Sequence, residues 1–434
     1  MPPHSPEFAR ALALDRTDPL ASFRRRFYRP KIRAYLDGNS LGLLSRESES
    51  AVLDALRSWK RQGVRGWFEG DSPWIDWGER LGTRLAPLVG ARADEVVATG
   101  STTVNLHQLL ATFYRPEGKR SAIVVDELNF PSDLHAVCGQ IEQRGLDPKT
   151  HLRMVRSRDG RMLEEADIEA AIGDDVALVT LSSVLYKSAQ RLDMKRLTRT
   201  ARERGALVIW DLSHAIGAVP VDLEGAGADA AVWGNYKYLS AGPGSVAGLY
   251  VARRHHGRRP GMPGWWGQSQ ADRFAMRAEH VPAAGASGWQ IGTIPVLAAA
   301  ALWGALDVVE QAGIERICAK GTALTSFLIE CLDAVCPEER TGLRVGSPRD
   351  ASRRGAHVAI EHPTRAAEIQ EALAAEGIVT DFRPPDVIRA ATPALTTSFA
   401  ETWRLVEALA RILSAPAPPA PGGRARRPMP GRSA

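Results

Sequence analysis

Between about residues 95 and 251, short β-branched runs alternate with charged stretches of helical period, and that alternation admits few folds. The runs fall at 95–99, 122–126, 177–181, 206–210, 230–234 and 246–251. Runs so uniformly apolar read as strands buried on both faces, and the helical stretches between them supply the crossovers that parallel neighbours need. The expectation is an α/β fold with a mainly parallel central sheet covered by helices on both faces. In sheets of this kind ligands gather beyond the carboxyl ends of the strands, so the residues that close these runs are where chemistry is expected.

Downstream the period changes. An apolar helix candidate runs from 295 towards 335, and then strand, helix, strand, strand and helix candidates follow at 357–360, 364–375, 379–383, 387–391 and 399–413. That order predicts a smaller α+β domain. Upstream, a Gly-rich turn around Asn39 and Trp-rich helical stretches read as an arm that packs back onto the rest, with Trp59, Trp67, Trp74 and Trp77 at spacings suited to core packing. The expected divisions are 1–90 for the arm and helical segment, 91–295 for the large α/β domain, 296–413 for a linking helix and the small domain, and 414–434 for a Pro/Gly/Arg-rich disordered tail.

Lys and Arg total 55 against 50 Asp and Glu, but Arg424, Arg426, Arg427 and Arg432 sit in the tail, which contains no acid. The body is therefore close to neutral, and no nucleic-acid groove is expected from charge. The 4 cysteines, Cys138, Cys318, Cys331 and Cys336, show no zinc-finger or redox spacing, so neither a disulfide framework nor a metal site is expected. His255 and His256 beside Arg253 and Arg254 read as a solvated turn rather than a ligand cluster. No basic leader precedes an apolar run, and the most apolar stretch, 294–309, is short for a bilayer, so no membrane and a cytoplasmic location are expected.

One strand candidate delivers an acid at its end, in Ala206-Leu-Val-Ile-Trp-Asp-Leu-Ser-His214. The next delivers a lysine before a Gly-Pro-Gly turn, in Asn235-Tyr-Lys-Tyr-Leu-Ser-Ala-Gly-Pro-Gly244. Alone, Asp211 reads as a capping residue and Lys237 as a surface cation. Together they suit pyridoxal phosphate, which needs a carboxylate to keep its pyridine nitrogen protonated and a lysine that a substrate amine can displace. Gly100-Ser-Thr-Thr-Val-Asn-Leu-His107 follows a strand and opens a helix, so backbone amides with the Thr102 and Thr103 hydroxyls could cradle the phosphate. In Asn129-Phe-Pro-Ser-Asp133, Phe130 could stack on the ring and Asp133 could bond near it.

These segments, with Tyr35-Leu-Asp-Gly-Asn-Ser-Leu-Gly-Leu43 and Gly264-Trp-Trp-Gly267, occur in the order found in kynureninases, and the chain resembles that family from about Tyr35 to Leu413. The resemblance implies a fold-type I homodimer whose active sites are shared between subunits. It implies that Thr102, Thr103, Phe130, Asp133, Asp211, His214 and Tyr236 surround pyridoxal phosphate held as an imine on Lys237, with phosphate contacts from Trp265 and Thr293, the latter from the partner chain. It further implies that Arg389 binds the substrate carboxylate, that Ser40 and Trp67 form the aryl-binding wall, and that Lys237, Tyr236 and Asp211 are the catalytic groups. The implied reaction is hydrolysis of the Cβ–Cγ bond of L-kynurenine, or a substituted kynurenine such as 3-hydroxykynurenine, to an anthranilate and L-alanine, in tryptophan catabolism. Gln268, Thr396 and Ala189 stand where the family usually carries His, Tyr and Gly, and Ala394 where Pro is common.

Two other classes of function fit the same fold. A desulfurase, β-lyase or aminotransferase would act on a different β-substituted amino acid; a desulfurase would need a mobile nucleophilic cysteine, and Cys336 beside Pro337 is the one to consider. A non-catalytic binding protein on this fold would be expected to have lost Lys237, Asp211 or Arg389, and all three are present.

Overall fold

In the computed structural model, which describes residues 5–414, the expected strands assemble with one more into a seven-stranded sheet. The strands are β1 (Val96–Thr99), β2 (Ala122–Asp126), β3 (Leu152–Val155), β4 (Val176–Ser182), β5 (Leu207–Asp211), β6 (Ala230–Trp233) and β7 (Ala247–Val251). Their spatial order is β1-β7-β6-β5-β4-β2-β3, with β2 to β6 parallel and β7 antiparallel to both β6 and β1. The sheet is thus mainly parallel. Its unanticipated member is β3, an edge strand of sequence Leu-Arg-Met-Val that is only part-buried and so lacks the apolar run that marks the others.

Side chains leave the sheet alternately to its two faces. Val97, Ile123, Val125, Ile209, Val232 and Leu249 pack under the helices Thr102–Phe113 and Pro131–Gln143. Val96, Val124, Val179, Val208, Trp210 and Trp233 pack on the other face with Leu197 of helix Met194–Glu203 and Leu81 and Leu85 of helix Trp77–Leu85. Gly82 lets that last helix touch the sheet, since a Cβ there would meet the Val96 carbonyl at 2.2 Å.

The apolar segment expected as one helix is two, Val296–Ala312 and Ile314–Val335, bent by 81°. The break is at Gly313, whose φ of +80° is open to glycine and strained for other residues. Among the described residues no single helix is long and apolar enough to cross a membrane. The second helix leads into a four-stranded antiparallel sheet of β8 (Arg344–Val345), β9 (His357–Glu361), β10 (Asp381–Arg383) and β11 (Val387–Ala391), in the order β10-β11-β9-β8. Helices Ala366–Ala375 and Phe399–Ser414 complete this C-terminal unit.

The N-terminal segment divides between the two units. Helix Pro6–Thr17 packs on Phe399–Ser414, and Ala34–Tyr35 pairs in parallel with Ile378–Val379. Helices Arg46–Gln62 and Trp77–Leu85 instead pack against Val296–Ala312. Trp74 and Trp77 are core, but Trp59 is 59% exposed on the outer face of its helix, contrary to expectation. His255 is also not a solvated side chain: it is buried, with Nε2 2.7 Å from Asp229 Oδ1 and its ring edge-on to Phe113. From residue 415 the expected tail lies outside the described residues.

Candidate active site

The carboxyl ends of β1, β2, β4, β5 and β6 meet at one cavity. After β1 the chain turns at Gly100, φ +51°, and enters a helix at Thr102, where the Asn105 amide holds the turn by donating to the Thr99 carbonyl at 2.9 Å. After β2, Phe130 precedes the helix that carries Asp133. Strand β5 ends at Asp211, with Ser213 and His214 directly beyond, and β6 runs into Tyr236 and Lys237. Eight of the expected residues, Thr102, Thr103, Phe130, Asp133, Asp211, His214, Tyr236 and Lys237, line this cavity together.

Lys237 Nζ lies 2.9 Å from His214 Nε2. Burial lowers the Lys237 pKa to about 8, with the Asp211 carboxylate opposing the shift. The His214 imidazole is held well below its usual range by burial and by the Lys237 charge, so it is neutral and accepts at Nε2. Asp211 Oδ1 accepts from the Ser213 amide at 2.8 Å and hydroxyl at 2.6 Å. Burial raises the pKa of both Asp211 and Asp133; Ser213 and Lys237 restrain the rise at Asp211, whereas the Asp211 charge adds to it at Asp133. Ionisation of one of these neighbours therefore opposes ionisation of the other. Tyr236 is raised by burial and then by the two acids, and keeps its proton at neutral pH.

Several buried polar atoms here have no partner: Asp133 Oδ2, His214 Nδ1 and Asn129 Nδ2. Orphans of this kind cost about 1–3 kcal/mol each and mark where a bound group completes the bonding. Glycines keep the walls close. A Cβ on Gly234 would fall 2.6 Å from the Tyr236 ring and 3.1 Å from Thr102 Oγ1, and one on Gly42 would fall 2.4 Å from the Lys237 carbonyl. A slot with a helix N-terminus and hydroxyls at one end and a carboxylate beside a buried lysine fits pyridoxal phosphate.

Arg389, on β11, reaches the same cavity through Tyr186, whose carbonyl accepts from Nη1 at 2.8 Å and whose ring meets Phe130 edge-on at 5.4 Å. Its other partners are Ser40 Oγ, 3.3 Å from Nη2, and Asp381 of β10. Trp67 packs edge-on against Trp74 and Trp266. Trp265 and Thr293 are not brought to the cavity within the chain: Trp265 is 46% exposed with its Nε1 donating to the Arg273 carbonyl at 2.7 Å, and Thr293 is exposed. Gln268 is buried and staples its own loop, donating to the Glu279 carbonyl and accepting from the Val281 amide. Ala189 adopts a left-handed φ of +62°.

Tyr186, Ser182 and Ser213 line the cavity and were not singled out from the sequence, though all three follow or end a strand whose carboxyl end was expected to matter. Asp381 and Arg383 had no such signal, because their relevance depends on which strand lies beside Arg389. None of the cysteines lines the cavity. Cys331 and Cys336 are buried in the C-terminal core and burial pushes their thiols up, to about 12 and about 11.

The kynureninase C-terminal domain family model matches residues 317–409. The chain is 48% identical over 407 residues to the kynureninase of Geobacillus thermodenitrificans, covering 94% of each chain, and 46% identical over 411 residues to that of Bacillus thuringiensis, covering 95% of each. Among solved structures it is similar to an apo cysteine desulfurase from Thermococcus onnurineus, with a TM-score of 0.73 and 17% identity over 93% of this chain and 98% of that one. It is also similar to the cystine C–S lyase C-DES in complex with cysteine persulfide, with a TM-score of 0.74 and 19% identity over 88% and 97% of the two chains. At these identities the solved structures speak for the fold, a fold-type I architecture, while the curated sequences speak for the lineage. The chain belongs to the kynureninase family.

Proposed function

We propose that this chain hydrolyses the Cβ–Cγ bond of L-kynurenine or a ring-substituted kynurenine, releasing an anthranilate and L-alanine, with pyridoxal phosphate tethered to Lys237. The observation that carries the reading is one cavity lined by a buried lysine of lowered pKa and a strand-end carboxylate, with a buried arginine behind it that donates to the carbonyl of the lining residue Tyr186. When bound, the cofactor withdraws electrons from the substrate's α-carbon. The chain supplies the rest.

Asp211, which accepts from the Ser213 amide and hydroxyl, is placed to keep the ring nitrogen protonated, with Asp133 beside it. Thr102, Thr103 and Tyr236 line the phosphate end, and Phe130 gives the ring a flat wall. Lys237, with a pKa of about 8, is available as a neutral amine near physiological pH and can take the α-proton at Nζ once the substrate amine has displaced it. His214 accepts from that Nζ and fixes its position. Tyr236 Oη, protonated, can return a proton to the alanine carbon late in the cycle. Arg389 would grip the α-carboxylate, and Ser40 and Trp67 the aryl side.

The remaining parts belong to the same proposal. The units are 1–90, 91–295 and 296–413. The protein is a cytoplasmic homodimer in which Trp265 and Thr293 complete the partner's phosphate site. Supporting this, Phe68, Trp265, Phe274 and Met276 are 46–72% exposed, with Phe274 edge-on to both Phe68 and Trp265. Contiguous aromatic surface of this kind is typical of an interface. Light scattering at micromolar concentration checks it and should return twice the 47.0 kDa chain mass.

The test is incubation of the holoenzyme with L-kynurenine and, separately, 3-hydroxykynurenine, with chromatographic detection of the aryl acid. Release from at least one substrate, absent with Lys237→Ala, is expected. Consumption of neither substrate would sink the reading.

A further inference from the structure

Arg389 is 1% exposed, and a guanidinium that deeply buried is stable only if its charge is met. Asp381 stands directly opposite it in the β10–β11 ladder, and the two form an ion pair. The geometry of that pair is unusual for a permanent one. Arg389 Nε, at 2.8 Å, and Nη2 both converge on Asp381 Oδ2, so one carboxylate oxygen takes both donors. A guanidinium fork is best matched by the two oxygens of one carboxylate, each taking one N–H. The pairing is therefore adequate but below what a freely oriented carboxylate could achieve.

Asp381 also has somewhere to go. Arg383 Nε donates to the same Oδ2 at 2.9 Å, and the Arg383 side chain is 35% accessible and can follow it. Asp37 adds a second acid to the cluster, so Arg389 does not lack anions before a ligand arrives. Of the remaining contacts of Arg389, that to the Tyr186 carbonyl is independent of Asp381, whereas Ser40 Oγ, which accepts from Nη2, also donates to Asp381 Oδ2 at 3.5 Å.

We propose that Asp381 is a built-in competitor for the substrate's carboxylate: it holds Arg389 in the ligand-free chain, and an incoming α-carboxylate displaces it while Arg383 retains it. The proposal rests on the reading of Arg389 as the carboxylate site and adds a determinant of specificity to it. A free carboxylic acid must outcompete an intramolecular one and does so poorly. An amino acid already attached through its amine presents its carboxylate at high effective concentration and wins. Asp381 thus keeps stray carboxylates from filling the pocket, while an anchored substrate, whose carboxylate is at high effective concentration, still fills it.

The experiment is calorimetric titration of the holoenzyme with 4-(2-aminophenyl)-4-oxobutanoate, the kynurenine skeleton without its amine, and with the corresponding carboxamide. The acid keeps the carboxylate but cannot react with the cofactor. Removing the competitor restores the intrinsic affinity, so Asp381→Asn should lower the Kd of the acid by on the order of tenfold and leave that of the carboxamide unchanged. Arg383→Gln, which takes away the second partner of Asp381, should raise the Kd of the acid. A Kd for the acid that is unchanged or raised in Asp381→Asn would overturn the proposal and make Asp381 a support for Arg389. An Arg383→Gln Kd equal to that of the unmodified protein would overturn the handover. Arg389→Gln serves as the separate control: if it binds acid and carboxamide as the unmodified protein does, the carboxylate site itself has been misplaced and the proposal falls with it.

Discussion

The strand-end cavity and the Arg389 cluster beside it treat their buried polar groups in opposite ways. At the strand ends, Asp133 Oδ2, His214 Nδ1 and Asn129 Nδ2 are buried without partners. At Arg389, by contrast, Asp381, Ser40 and the Tyr186 carbonyl all meet the guanidinium. Unpaired buried groups destabilise a fold, and they are tolerable where a resident group supplies the missing bonds for most of the protein's lifetime. A site that is vacated at every turnover cannot rely on its ligand for stability and is better closed by its own side chains. On the proposed assignment, the contrast separates where a cofactor stays from where a substrate comes and goes.

Lys237→Ala should give the largest effect, a loss of at least about 10³-fold in aryl acid release, since it removes both tether and base. Release within tenfold of the unmodified protein would break the assignment of the strand-end site. Arg389→Gln should follow: truncating one partner of a buried ion pair costs about 2–5 kcal/mol, and steady-state kinetics should place most of that loss in KM. A pure kcat loss would mean that Arg389 belongs to the chemistry. Pyridoxal phosphate should stabilise the protein against denaturant by about 2.7 kcal/mol at a hundredfold excess over its Kd, whereas the desamino acid added to the apoprotein at the same concentration should contribute far less, because a paired Arg389 raises its Kd. Equal stabilisation by the two would erase the distinction between cavity and cluster.

A fourth prediction concerns pH. Capture of the cofactor's aldehyde requires a neutral amine at Lys237, whose pKa is lowered from 10.5 to about 8. The uptake rate, followed by absorbance, should therefore rise between pH 7 and 9 and then level off; a rate still climbing towards pH 10.5 would show that burial does not lower this pKa. Gln268→Ala should have the smallest effect, roughly 1 kcal/mol or a little more in stability, because it removes two hydrogen bonds within one loop. Loss of turnover with intact folding would instead place Gln268 at the substrate.

How far the sequence could be read depended on the range of the interaction. Asp211 and Lys237 were legible because each closes an apolar run, and strand ends in a parallel sheet share one edge. Edge strand β3 was not, since Arg153 and a part-buried face removed the apolar signal. Gly313 was visible, but a lone Gly in an apolar helix does not announce an 81° bend. His255 looked solvated among arginines, and only the fold brings Asp229 against it. Asp381 was hidden for the same reason, because the register Asp381↔Arg389 is a property of the ladder rather than of either strand. Trp265 and Thr293 face outward in the single chain, so no strand-end signal within it could place them at the cavity.

The central claim is that this cavity splits the Cβ–Cγ bond rather than transferring the amine or expelling a β-substituent. The most direct test is to quantify L-alanine and the aryl acid in the same L-kynurenine digest. One alanine for each anthranilate, with neither formed by Lys237→Ala, is the result expected. Kynurenine consumed with its carbon skeleton intact, appearing as the keto acid or its cyclised product without alanine, would contradict the account and make the chain an aminotransferase on this fold.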